Sequence, residues 1–130
     1  MTSPIERVST ARAPAPAGHY AQATAWRDLV FVSGQLPLRA DGTHAANETF
    51  EVQARQALAN LLAIVDAARS RPDRVMRVTA YVVGIENWPV FDRIYAELFG
   101  KAKPARAVVP VPELHHGYLV EIEAVAAREI

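Results

Sequence analysis

Apolar residues recur at steps of three and four along one stretch of this chain: Phe50, Ala54, Ala57, Leu58, Leu61, Val65 and Ala68. That spacing lays an apolar stripe along a helix. Asn47 or Thr49 is placed to cap it, and Glu48 and Glu51 suit its N-terminal end. Arg69 and Arg71 suit the other end, and Pro72 stops it. A second helix is predicted from Asn87, with Pro89 in its first turn, Phe91, Ile94, Tyr95 and Leu98 on its apolar face, and Gly100 at its end. Trp88 and Phe91 read as helix-start and core residues. Elsewhere the period is two. Residues 74–83 predict a strand with Met76, Val78, Ala80 and Val82 on a wholly apolar face, and Arg77, Thr79 and Tyr81 on a mixed one. Residues 4–9 predict a short first strand and Trp26 to Leu36 a second, where Gly34 and Pro37 mark a bulge or a strand end. Residues 10–18 read as loop and Asp41-Gly42 as a turn.

The last stretch is the least ordinary. Pro104 to Glu113 and Tyr118 to Ala126 are two β-branched arms joined by Leu114-His115-His116-Gly117, which predicts two strands and a short loop. Pro110 and Pro112, two apart, remove donors from the same edge, so that edge is free or lies at an interface. Arg106 opens the first arm, and Glu121 and Glu123 sit in the middle of the second. Antiparallel pairing about His115–Gly117 need not leave Arg106 and Glu121 far apart. A fixed cation beside a carboxylate predicts a site for a small anionic substrate, attacked by something a base activates. The element order is then strand, strand, helix, strand, helix, strand, strand, with the first and last pairs as hairpins. This is an α+β fold, a mixed sheet with both helices on one face. The other face, carrying Arg77, Thr79, Tyr81, Glu121 and Glu123 among Val and Leu, is too apolar for water and too polar for a sealed core. Packing against another subunit resolves that conflict.

Composition narrows the function classes. At 130 residues the chain is one domain, and 51% hydrophobic residues is enough for a core. Lys and Arg total 14, as do Asp and Glu, so the net charge is zero, which argues against a nucleic-acid binder that lives on phosphate contacts. No apolar run approaches the roughly 18 residues of a membrane span, and the N-terminal stretch has no secretory h-region, so the cytoplasm is the expected location. There is no cysteine, which excludes disulfides and thiolate chemistry. His115 and His116 invite a metal reading, but neighbours on an extended segment point opposite ways and no third ligand stands at good spacing. No metal is expected.

Several stretches together resemble a known family. They are Gly18-His19-Tyr20-Ala21-Gln22-Ala23, Phe31-Val32-Ser33-Gly34-Gln35-Leu36-Pro37, and Gln53 to Asn60 on the first helix. They continue with Tyr95 to Phe99, Pro104-Ala105-Arg106, and Val120-Glu121-Ile122-Glu123-Ala124-Val125-Ala126. Over roughly residues 18 to 127 the chain is similar to the RidA (YjgF) family of reactive-intermediate enamine/imine deaminases. The resemblance implies a chorismate-mutase-like fold and a homotrimer whose sheets pack inward, with three sites in clefts between subunits. It implies a cofactor-free reaction, the hydrolysis of 2-enamino or 2-imino acids to 2-oxo acids and ammonia. By the same resemblance Arg106 would clamp the substrate carboxylate and Glu121 would activate the attacking water. Tyr20 completes that catalytic set by lining the pocket. Ser33 and Gly34 would supply wall and backbone contacts, and the backbone around Val108 would bond the substrate nitrogen.

The chain departs from the family pattern at four positions. His19 stands where Pro is frequent, Ala107 where Ser follows the arginine, and Val108 where Cys or a smaller residue is usual. Asp92 stands near the pocket where the best-studied branch has Asn. A second carboxylate repels anionic substrates unless it is paired or neutral. Asp92 therefore pairs with an arginine or marks another substrate branch, such as the deamination of 2-aminomuconate. The rival classes are a regulatory trimer that binds a small acid without turnover, a ribonuclease, and a mutase of the same fold. Zero net charge weighs against the ribonuclease, and the mutase needs more cations than Arg106 alone.

Overall fold

Thr49 begins the first helix: its Oγ1 accepts the backbone N–H of Val52 at 3.3 Å, and helix α1 (Phe50–Ala67) follows. The computed structural model describes residues 3–129. The predicted stripe is buried, joined by Gln53, Asn60 and Ile64. Ala68 is the C-cap, and Arg69 turns the chain away with a φ of 66°. Helix α2 (Trp88–Phe99) buries Phe91, Ile94, Tyr95 and Phe99. Trp88 is not a core residue, being 39% exposed. Asn87 does not cap α2 with its side chain; its amide instead donates to the Val83 carbonyl at 2.9 Å. No helix among the described residues is long and apolar enough to cross a membrane.

The strands are β1 (Glu6–Val8), β2 (Ala23–Trp26), β3 (Leu29–Gln35), β4 (Val75–Val83), β5 (Ala105–Val111) and β6 (Val120–Ala127). They form one sheet in the order β1-β2-β3-β6-β4-β5, antiparallel throughout except for the parallel β4–β5 pair. The α+β architecture with a mixed sheet and two helices is as expected, with two corrections. The single strand predicted from Trp26 to Leu36 is two strands: Trp26 pairs with Leu29 across a turn at Arg27-Asp28, where Arg27 takes a φ of 54°. The predicted hairpin between the last two strands does not form, because β4 lies between them. The β4–α2–β5 unit is a crossover, which brings β5 back parallel to β4. Pro110 keeps β5 on the sheet edge, while β6, free of proline, donates on both sides from the centre.

One sheet face is sealed by the helices: Val78, Ala80, Val82, Val120, Ile122 and Val30 have at most 2% exposure. A register shift between Val75 and Arg77 puts Met76, 48% exposed, off this face, and Val75 is buried in its place. The opposite face carries the register partners Phe31 and Val125, Thr79 and Glu123, and Tyr81 and Glu121. No element of the described residues covers it, and Phe31 is left 48% exposed there.

Candidate active site

The site is built where β3 passes β6. The β3–β6 register shifts between Val32 and Gln35, so Ser33-Gly34 bulges opposite Glu123, with Gly34 beside the Glu121 side chain. A Cβ on Gly34 would stand 2.6 Å from Glu121 Oε2 and 3.1 Å from its Cδ. Only glycine lets the backbone approach the carboxyl this closely. Ser33 ties the preceding loop to the bulge: its Oγ donates to the Ala21 carbonyl at 2.7 Å, and its N–H donates to the Gln22 carbonyl at 2.9 Å. The buried Gln22 amide accepts from Thr10 N–H at 2.7 Å and donates to the Pro14 carbonyl at 2.9 Å. Beyond β3, Asn60 of α1 donates to the carbonyls of Leu36 at 3.1 Å and Leu38 at 2.8 Å. These bonds hold open a cavity of about 470 Å³, with Tyr20, Ser33, Gly34, His44, Tyr118 and Glu121 among its walls.

Glu121 and Glu123 both project from the open face, yet their surroundings differ. Glu123 is exposed and accepts from Tyr81 Oη at 3.3 Å. Glu121 is half-buried and lines the cavity. Burial, and then the neighbouring Glu123, push its pKa above the usual carboxylate range, with His115 opposing. A carboxyl so placed exchanges protons at a higher pH than a surface glutamate.

Arg106 lies elsewhere. It is level with Val78, on the helix-covered face, whereas Glu121 is level with Tyr81 on the open face. The Arg106 guanidinium sits 4.8 Å from the centre of the Tyr95 ring, and its Nη1 donates to Asp92 Oδ1 at 2.8 Å. Its side chain is only 24% exposed. Burial pushes the Tyr95 phenol up to about 12, with Arg106 opposing, and its hydroxyl has no partner among the described residues. Tyr95, Lys103, Pro104 and Arg106 outline a second hollow. Val108 is two residues along the same strand, level with Ala80 and packed against the core. One chain therefore groups Tyr20, Ser33, Gly34 and Glu121 on one side, and Arg106, Asp92 and Val108 on the other.

Four residues of the cavity wall escaped the sequence reading of the site. Tyr118 is 1% exposed, and its hydroxyl is hydrogen-bonded to His44 Nδ1, 74 positions away. His115 and His116 are not on an extended segment. They lie in a 3₁₀ turn, His115–Gly117, in which His116 has a φ of 61°, and their ring centres are 3.9 Å apart. No local signal joins His44 to this turn.

The fold and this bulged sheet define a class of small α+β domain found in many solved structures. One, from Yersinia pestis and described as a protein of unknown function of the conserved Rid family, has a TM-score of 0.91 at 34% identity, covering 95% of this chain and 99% of that one. Residues 10–128 match the family profile described as endoribonuclease L-PSP, and the chain belongs to this family, known also as RidA/YjgF. A RutC family protein of Pyrococcus horikoshii is 36% identical over 124 residues, 95% of this chain and 98% of that protein. A protein of Dermatophagoides farinae named 2-iminobutanoate/2-iminopropanoate deaminase is 31% identical over 127 residues, 98% of this chain and 99% of that one.

Proposed function

We propose that this protein is a hydrolytic deaminase of 2-imino and 2-enamino acids, working as a homotrimer with each site shared between two subunits. The observation that carries this reading is the division of the chemistry. Glu121, half-buried with a raised pKa, faces a cavity that also holds Tyr20, while Arg106 stands on the other sheet face. Neither half is a site alone. A copy that set its Arg106 edge against the open face of a neighbour would supply the missing cation. The relative named 2-iminobutanoate/2-iminopropanoate deaminase supports the same chemistry.

In this mechanism an enamine takes a proton at carbon and becomes an iminium, which needs no metal to be electrophilic. Arg106 holds the substrate carboxylate by a two-pronged contact. Glu121 takes a proton from water as the water oxygen bonds to C2, giving a tetrahedral carbinolamine. That proton passes to the nitrogen; as the C–N bond breaks, the carbinolamine hydroxyl returns a proton to Glu121 and becomes the carbonyl, and ammonia and a 2-oxo acid leave. Fixed orientation accounts for much of the acceleration. Ser33 acts by positioning the Tyr20 loop through Ala21, and Gly34 by letting β3 lie against Glu121. Val108 presents backbone from the open edge of β5 to the substrate nitrogen. Asp92 occupies Arg106 in the free chain and must yield it, or share it, when substrate binds.

The test is hydrolysis of 2-iminobutanoate, generated in situ by an amino-acid oxidase in competition with semicarbazide. Wild type should outcompete the trap, and Arg106→Ala and Glu121→Ala should each fail. Co-expression of the two variants should restore about a quarter of wild-type activity, since random mixing rebuilds one shared site in four. Failure of that rescue, with mixed trimers confirmed by mass, would overturn the shared site. An inactive wild type would overturn the deaminase reading.

A further inference from the structure

The cavity holds more than the proposed reaction uses. Glu121 and Tyr20 account for one part of its wall, and a ring cluster of His44, His115, His116 and Tyr118 lines another. Ring centres lie 3.9 Å apart for His115 and His116, 4.7 Å for His44 and His116, 5.6 Å for His44 and Tyr118, and 6.0 Å for His116 and Tyr118. Apart from the sequence neighbours His115 and His116, which are closer, these fall within the roughly 4.5–7 Å of packed aromatic rings. Tyr118 anchors the group from the core through its bond to His44, while the three imidazoles are exposed to an incoming ligand. We propose that this cluster is the seat for a planar aromatic side chain, so that the preferred substrates are 2-imino or 2-enamino acids bearing an aromatic group. The assignment rests on the deaminase reading above and specifies its substrate class.

Three observations favour an aromatic ring over a small alkyl group or a second carboxylate. The first is size: about 470 Å³ falls within the several-hundred-Å³ range of pockets for ring-bearing ligands, and the side chain of 2-iminobutanoate is a single ethyl group. The second is shape. Edge-to-face and stacked pairs already line the wall, and one more ring extends the same packing. The third is charge. No Lys or Arg is among the described residues that line the cavity, and Glu121 is. Partial desolvation, then repulsion from His115 and His44, lower the pKa of His116, which keeps that imidazole neutral at neutral pH. Beyond the neighbour's Arg106, which the substrate's own carboxylate would occupy, a distal carboxylate finds no Lys or Arg among the described residues of this wall.

The experiment compares kcat/KM for 2-imino-3-phenylpropanoate and 2-iminobutanoate, both made in situ by an amino-acid oxidase, in wild type and in the double variant His115→Ala, His116→Asn. Asparagine suits the positive φ of position 116, and unchanged circular dichroism confirms folding. Wild type should favour the phenyl substrate, and the variant should cut the ratio of the two about tenfold, the worth of two ring contacts. In parallel, calorimetry compares phenylpyruvate, 2-oxobutanoate and 2-oxoadipate. If wild type turns over neither imine but binds phenylpyruvate about tenfold tighter than 2-oxobutanoate, and the variant loses that margin, the deaminase reading falls and the aromatic seat stands. Equal handling of phenyl and ethyl side chains in both assays overturns the seat. Tightest binding of 2-oxoadipate overturns it in favour of a distal carboxylate site.

Discussion

Asp92 accepts a hydrogen bond from Arg106 at 2.8 Å, and the pair is a measurable latch. Asp92 is more than half exposed, with 57% of its side chain open to solvent, so the contact adds little to stability, under about 1 kcal/mol. In the proposed mechanism its effect on ligand binding is larger in proportion, because a substrate carboxylate would compete for the same guanidinium. Asp92→Asn should lower KM for an imino acid by about fivefold, with kcat and melting temperature little changed; steady-state kinetics and thermal melts check both. Glu121 makes a second prediction, in pH. Its folded pKa is raised above the ordinary 4.5, so the native state binds the proton more tightly than the unfolded chain. The resulting stability is fully present below that ordinary value and is lost as pH rises through the raised one. Glu121→Gln should therefore raise the melting temperature at pH 7 and change it little at pH 4. In the proposed mechanism the rate of wild type should rise with pH through the same window, since Glu121 would activate water as the carboxylate. Tyr95 gives a third. Its buried hydroxyl has no partner among the described residues, so Tyr95→Phe should leave stability unchanged or raise it by about 1 kcal/mol, while keeping the ring under Arg106. A denaturant titration decides it.

At the scale of elements, the bulge in β3 controls the geometry of the cavity. Gly34→Ala would place a methyl group 2.6 Å from the Glu121 carboxyl, and the end of that flexible side chain must turn away. Stability should change by less than about 1 kcal/mol, while kcat should fall at least about tenfold in the proposed mechanism; paired melts and kinetics at one pH would separate the two. A break in the ladder was legible in the sequence, since a Gly followed by a Pro after an apolar run marks a bulge or a strand end; the register shift decides for the bulge. Both helices were legible too, because their apolar period is long and their ends carry Thr49, Pro72 and Gly100. The turn at Arg27-Asp28 was not. Asp28 favours turns but has no glycine beside it and Arg27 is no turn signal, and Arg27 adopts its φ of 54° because the pairing of β2 with β3 holds it there. The β5–β6 hairpin misled for a related reason. A short link between two β-branched arms predicts local pairing, but the crossover through α2 gives β5 a better neighbour in β4.

At the scale of the molecule, the open sheet face calls for a partner. Phe31, 48% exposed, shares that face with Tyr81 and Glu121 through the sheet registers. Sedimentation should give three times the mass of 14.2 kDa, and Phe31→Glu should weaken assembly and lower activity by at least about tenfold together; a stable, fully active single chain would contradict the shared site. The division between sequence and structure is clear at this scale. The sequence alone determined the two helices, the mixed apolar and polar faces of β4 and β6, the edge character of β5 and the family, because these depend on periodicity, on proline chemistry and on ordered short motifs. Only the tertiary structure decided that Arg106 and Glu121 leave opposite faces of the sheet, because that depends on β4 lying between their strands. Only it brought His44 to Tyr118 and the turn at His115–Gly117, because a cavity wall is assembled from segments that no local pattern connects.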